Sequence, residues 1–280
     1  MTGLLELKAR HPEWEPWLSV VDVALCEIRN PAWQQSMPSL SQRARPESRR
    51  SPSSRLSRCD AAPNPADLKA FLDQLIHAAL VARTPSLGAL GDARYDAGAS
   101  TAIFIAALHG DDERLNVLAT QIGTEPAPLR AVASLLPLPW LQAFRREQAA
   151  SLAQAWPAGH CPCCGSWPAL AKICGIERVR YLGCGRCGHS WEAEGLKCPY
   201  CDMRDHDRLG MLLPEVGADR GVVEVCKACR GYVKALKMLG PGEPEDALIA
   251  DLASVELDLV ATTRGYHRPP GLGCSVGWDD

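Results

Sequence analysis

Eight cysteines set in four Cys-x-x-Cys pairs constrain this chain more than any other feature: Cys161/Cys164, Cys184/Cys187, Cys198/Cys201 and Cys226/Cys229. Two intervening residues let a tight turn aim both sulfurs at one point, while its backbone N–H groups hydrogen-bond the thiolates and spread their charge. The flanking residues suit such turns. Gly165 and Gly188 follow the second cysteine of their pairs, where such a turn often needs positive φ. Pro162 and Pro199 follow the first cysteine and pre-set φ there.

Nineteen residues separate Cys164 from Cys184 and 24 separate Cys201 from Cys226, room for one β-hairpin in each gap. ERVRYLGC and GVVEVC read as strands running into the second turn of each half. The spacing predicts two four-cysteine metal sites in series, Cys161/Cys164/Cys184/Cys187 and Cys198/Cys201/Cys226/Cys229. Only ten residues lie between Cys187 and Cys198, so the two middle turns sharing one ion is an alternative pairing. Thiol–disulfide exchange is the rival use of the motif, but it normally employs a single pair at a helix N-terminus. A closed shell of four sulfurs offers no open coordination position, which favours a structural role over Lewis-acid chemistry. Thiolate ligands suit zinc and iron alike. His160 and His189 flank these turns as alternative or supporting groups, and Cys26, Cys59, Cys163, Cys174 and Cys274 are expected to be buried or free thiols.

The opening residues, MTGLLELKARHPEWEPW, carry no apolar core segment and no small-residue cleavage site, which predicts a reducing, cytoplasmic setting. No run approaches the roughly 18 apolar residues of a membrane helix, so no membrane insertion is expected. A net charge of −3 in 280 residues argues against a generic nucleic-acid binder. Residues 157–239 hold 12 basic and 9 acidic side chains, and residues 240–280 hold 2 and 8. Walker loops, dinucleotide fingerprints, HExxH and GxSxG are absent, and no catalytic constellation is seen.

Ahead of the cysteines the pattern is helical. Asn64-Pro65 supplies a cap and a first-turn proline, after which Leu68, Phe71, Leu72, Leu75, Ile76, Ala79 and Leu80 recur at helical spacing. Residues 98–110 and 112–123 read as two helices joined at Gly110-Asp111-Asp112, and 129–156 as a helix pair interrupted at Pro137 and Pro139. The stretch from Ser36 to Arg58 carries six arginines against one glutamate among serines and prolines, and reads as a disordered linker or insertion. Residues 244–266 read as one acidic helix with Leu248, Leu252, Val255 and Leu259 on one face.

CPCCGSWPALAKI, RVRYLGCGRCGHSWEAEGLKCPYC, VCKACRGYVKALKM and ADLASVELDLVATTRGYHR, in that order, resemble the formate dehydrogenase accessory protein family, FdhE. The resemblance spans residues 158–269. It implies an all-α N-terminal domain followed by two rubredoxin-like modules, with the eight paired cysteines at the family's metal-ligand positions. It further implies a cytoplasmic protein needed for active respiratory formate dehydrogenase, a molybdenum or tungsten enzyme, which contacts the catalytic subunit before export and has iron at its thiolate sites. Two features depart from the family pattern. Cys163 replaces a usually apolar residue inside the first turn, and the Arg/Ser stretch has no counterpart in the family's helical N-terminus.

The expected fold is α+β multidomain: an all-α N-terminal helical bundle, two rubredoxin-like or zinc-ribbon modules and a C-terminal helix. The expected boundaries are an N-terminal helix in 1–35, the linker or insertion in 36–59, the helical domain in 60–156, metal modules in 157–195 and 196–240, and the C-terminal helix and tail in 241–280. The expected function is assembly of formate dehydrogenase through its catalytic subunit, without enzymatic activity. The expected cofactors are two iron ions, with zinc the alternative, each in a site of four cysteines. A zinc-ribbon nucleic-acid binder and an electron-transfer protein with iron held by four cysteines are the rival readings, and binding to nucleic acid is not expected.

Overall fold

The computed structural model describes residues 2–35, 37, 54–56, 63–84, 86–152, 156–214, 221–240 and 242–274. They form two compact units. The first holds the described residues up to 147 apart from 54–56, and the second holds Ser54–Leu56 and the residues from Gln148 onward. No described helix is long and apolar enough to cross a membrane.

The first unit is all-α. Its helices are α1 (Thr2–Arg10), α2 (Glu15–Glu27), α3 (Ala32–Gln35), α4 (Pro65–Val81), α5 (Ala97–His109), α6 (Asp112–Ile122), α7 (Pro126–Ala133) and α8 (Leu138–Gln148). Local chemistry sets their ends. The Asn64 side chain accepts from the Ala66 N–H at 2.8 Å, Asp96 from Ala99 and Asp111 from Arg114, satisfying N–H groups that have no partner inside the helix. Gly110 and Gly123 close α5 and α6 in the left-handed region. Leu68, Phe71, Leu72, Leu75, Ile76 and Ala79 are buried as the periodicity requires, whereas Leu80 is 38% exposed. Trp140, fully buried, packs edge-on to Phe104 and stacks on Phe144, and each such ring contributes about 2–3 kcal/mol through burial. The predicted 129–156 pair breaks across 134–137. Pro139 does not interrupt anything: it sits in the first turn of α8, where its missing N–H would have no acceptor.

The second unit is built on one six-stranded sheet: β1 (Leu170–Cys174), β2 (Val179–Gly183), β3 (Ser190–Glu192), β4 (Leu209–Leu212), β5 (Gly221–Cys226) and β6 (Tyr232–Met238). Its order is β3-β2-β1-β6-β5-β4. Each ribbon is an antiparallel meander, and the two fuse where β1 pairs parallel to β6, Leu170 opposite Lys234 and Cys174 opposite Met238. Of the Arg/Ser segment 36–59, only Met37 and Ser54–Leu56 are described; the remainder lies outside the described residues.

The parallel seam buries two lysines. Lys172 of β1 and Lys234 of β6 are both fully buried, and the register puts them on one face of the sheet. The C-terminal segment covers that face. It is not one helix but two, α9 (Asp246–Leu252) and α10 (Val255–Thr262), broken at Ser254. Along it Val255 and Leu259 are exposed, and the buried apolar positions are Ala247, Leu257 and Ala261. Polar groups meet the sheet beside them. Lys234 Nζ lies 2.8 Å from both Asp251 Oδ1 and Asp258 Oδ2 and donates to the Asp251 carbonyl at 2.6 Å. Arg268 bridges the same two carboxylates at 2.6 and 2.9 Å, and the Tyr232 hydroxyl donates to Asp258. Beside this network Leu257 and Ala261 pack on Val223, Val225 and Tyr232.

Removing one partner of a buried charge network strands the others, so Lys234→Met is expected to destabilise the protein by about 3–5 kcal/mol, read as a lower urea midpoint. Burial opposes the charge on Asp258, but the Lys234 hydrogen bond and the positive charges of Arg268 and Lys234 outweigh it and hold the carboxyl below its ordinary value. Its contribution is therefore complete above the unfolded pKa of about 4 and is lost as pH falls through the lowered folded value. Urea midpoints of the wild type should drop across that acid range, and those of Lys234→Met should drop less.

Candidate metal centres

All four cysteine turns share one backbone geometry. The N–H of the first cysteine donates to the carbonyl five residues on: Cys161 to Ser166, Cys184 to His189, Cys198 to Met203 and Cys226 to Gly231, at 2.8–2.9 Å. The residue after the second cysteine always takes positive φ: Gly165 at 79°, Gly188 at 74°, Asp202 at 58° and Arg230 at 59°. The two glycines were legible in the sequence. Asp202 and Arg230 were not, because nothing in their residue types demands that conformation, although Asp tolerates it better than most.

The turns point their sulfurs inward in two groups of four, Cys161/Cys164/Cys184/Cys187 and Cys198/Cys201/Cys226/Cys229, with every sulfur in a group within 4.8 Å of the others. The alternative pairing of the two middle turns is not what the fold brings together. Both groups cross in the same way. Cys161 approaches Cys187 and Cys164 approaches Cys184 at 3.5 Å, while Cys198 approaches Cys229 and Cys201 approaches Cys226 at 3.7 Å. A tetrahedral ion with metal–sulfur bonds of about 2.3 Å sets its sulfurs about 3.8 Å apart, so each group is of a size to hold one metal ion. No disulfide joins the described cysteines. Backbone N–H groups already face the sulfurs: Arg186 and Cys187 donate to Cys184 Sγ, and Gly231 donates to Cys229 Sγ.

Electrostatics differ within the first group. Hydrogen bonds from Cys161, Cys184 and Cys187 hold the Cys164 thiol well below its ordinary value, whereas burial pushes Cys161 well above it. In the second group burial pushes Cys229 up to about 11. An arriving cation must therefore displace protons, which makes binding weaken as pH falls.

His160 and His189 belong to neither group. The His189 carbonyl accepts from Cys184 and its ring stacks on Trp191, while His160 lies edge-on to Trp156 and Trp167. Cys163 and Cys174 are buried, Cys26 is exposed and Cys274 is intermediate; Cys59 lies outside the described residues. Sequence reasoning missed the residues that cover the first group. Arg55 donates its N–H to the Pro162 carbonyl at 2.8 Å, and Leu56, fully buried, donates to the Cys163 carbonyl at 2.9 Å. Gly273 donates to the Gly165 carbonyl from the other end of the chain. Their distance in sequence left no local signal.

The turn geometry can be tested directly. A Cβ at Gly188 would lie 2.5 Å from Pro244 Cβ and 2.6 Å from its carbonyl oxygen, at a φ that L residues avoid. Gly188→Ala should lower stability by at least ~1–2 kcal/mol. Asp202→Gly, at the equivalent place in an exposed turn, should stay within about 1 kcal/mol of wild type, both read from urea midpoints.

Residues 196–271 match the family model described as FdhE, C-terminal domain. Curated relatives, each named "Protein FdhE homolog", include one from Stutzerimonas stutzeri, 33% identical over 51% of this chain and 47% of the relative. Another, from Haemophilus influenzae, is 31% identical over 48% and 44%. A third, from Pseudomonas aeruginosa, is 36% identical over 42% and 40%. The chain thus spans about half the length of the curated relatives it matches. The crystal structure of the FdhE protein from Pseudomonas aeruginosa superposes with a TM-score of 0.59 over 99% of this chain and 95% of that one, at 22% identity, a likeness of fold. The chain therefore resembles the FdhE family, in sequence over about half its length including residues 196–271, and in fold over nearly all of it.

Proposed function

We propose that this chain is an accessory protein in the assembly of formate dehydrogenase, acting in the cytoplasm by binding the enzyme's catalytic subunit rather than by catalysing a reaction. The observation that carries this reading is the conjunction of the FdhE match with two preformed four-cysteine groups on one sheet. Cys161, Cys164, Cys184 and Cys187 would hold one iron ion, and Cys198, Cys201, Cys226 and Cys229 a second; zinc satisfies the same ligands. Bound metal would supply a crosslink between the paired turns of each ribbon, of the kind that makes small metal domains fold. With all four positions taken by sulfur, the ions have no place for a substrate, which supports a scaffold in preference to a Lewis-acid centre.

Anaerobic metal analysis of the purified protein should return two ions per chain, and replacing all eight cysteines with serine should abolish both metal and capture of the catalytic subunit. Undiminished capture by the serine variant would refute the metal-dependent scaffold. Steeply salt-sensitive affinity for DNA or RNA, with no capture of the subunit, would favour the nucleic-acid reading in its place.

A further inference from the structure

The two sulfur groups share turn geometry but not accessibility. In the first, Cys161, Cys164, Cys184 and Cys187 are all 0% exposed. Two backbone straps lie over it: Arg55 and Leu56 bonded to the carbonyls of Pro162 and Cys163, and Leu272-Gly273 bridged to Ser166 and Gly165. In the second, Cys198 and Cys226 are buried, Cys229 is intermediate and Cys201 is exposed, as is Asp202 beside it. A cavity of about 170 Å³, with largely apolar walls that include Leu196, Tyr200, Leu209 and Met211, reaches Cys198 and Cys226 of this group.

We infer that the second group is an exchangeable metal site, open at Cys201 to replacement by a thiolate from outside the chain, while the first is closed to exchange. The inference rests on the metal reading above and deepens it. Thiolate shells exchange through direct approach of the incoming ligand, so the residues around a site control how readily it can be attacked. An incoming thiol gives up its proton and forms a new sulfur–metal bond. The Cys201 sulfur–metal bond breaks, and the released Cys201 sulfur takes up the proton. No electron changes hands. The first group offers no face for this approach, since its four cysteines have no exposed surface. The second group offers the exposed Cys201, and the apolar cavity that reaches the same group at Cys198 and Cys226, though not at Cys201, suits the hydrocarbon body of a thiol-bearing ligand such as a cysteine with an apolar neighbour on a partner chain. The fold thereby separates two roles that the repeated motif alone presents as equal: a fixed crosslink in the first ribbon, and a site in the second whose ion can be shared or passed on.

The test uses the full chain loaded with zinc, its two ions per chain counted first, and an excess of a chromogenic pyridylazo chelator with and without glutathione. One ion per chain should leave roughly tenfold or more faster than the other, with glutathione accelerating only the fast phase. Brief iodoacetamide treatment followed by peptide mass mapping should label Cys201 before any of Cys161, Cys164, Cys184 and Cys187. Cys201→Ser should speed the fast phase or remove its ion while leaving the slow phase within about twofold, which also shows that the first ribbon stays folded. Release of both ions at one rate, or labelling of the first group as early as Cys201, would overturn the inference. A starting count below two ions overturns instead the metal reading beneath it.

Discussion

The parallel pairing of β1 with β6 is the constraint on which the second unit depends. Each ribbon alone is a small antiparallel meander with little apolar surface to bury, and the seam turns the two into one sheet wide enough to support a covering layer. It also creates a demand. Lys172 and Lys234, set on one face by it, are fully buried in the folded unit, and a buried ammonium is stable only where polar or charged partners meet it. That demand selects what covers the sheet. A purely apolar helix face would leave the Lys234 ammonium stranded, and the chain instead lays down α9 and α10, whose Asp251 and Asp258 meet it in the interface alongside Leu257 and Ala261.

This explains part of the likeness to FdhE in physical terms. In the motifs that carry the resemblance, the tyrosine and lysine after the fourth cysteine turn are Tyr232 and Lys234, and the acidic DLAS helix supplies Asp251 and Ser254. In the fold these residues are partners in a single network, joined by Asp258 and Arg268. They belong to neither sulfur group: they join the cover to the sheet.

Much of the molecule was readable from sequence because the deciding signals were local. A cap side chain, a glycine after a helix and two residues between cysteines act within a few positions, and Asn64, Gly110 and Gly188 behave in the structure as their chemistry requires. Both sets of four cysteines are the simpler of the two pairings that the spacing allows. What could not be read was long-range. Two ribbons were expected in series, but nothing in LAKIC or YVKALKM announces that these strands pair with each other across the intervening ribbon. The same gap hid which side of 244–266 is covered: Leu248, Leu252, Val255 and Leu259 share a face by spacing, but the buried apolar residues are Ala247, Leu257 and Ala261, beside the aspartates that meet Lys234. Val255 and Leu259, both after the break at Ser254, are exposed.

The register of that seam also carries an entropic cost. Leu170 faces Lys234 across more than sixty intervening positions, whereas every other ladder in the sheet joins strands that are consecutive in the chain. Closing so long a loop is entropically slow, and short hairpins form first. The entropic cost of assembling the second unit therefore falls mainly on the seam, and the ion pairs between its buried lysine and the acidic helices help to offset it.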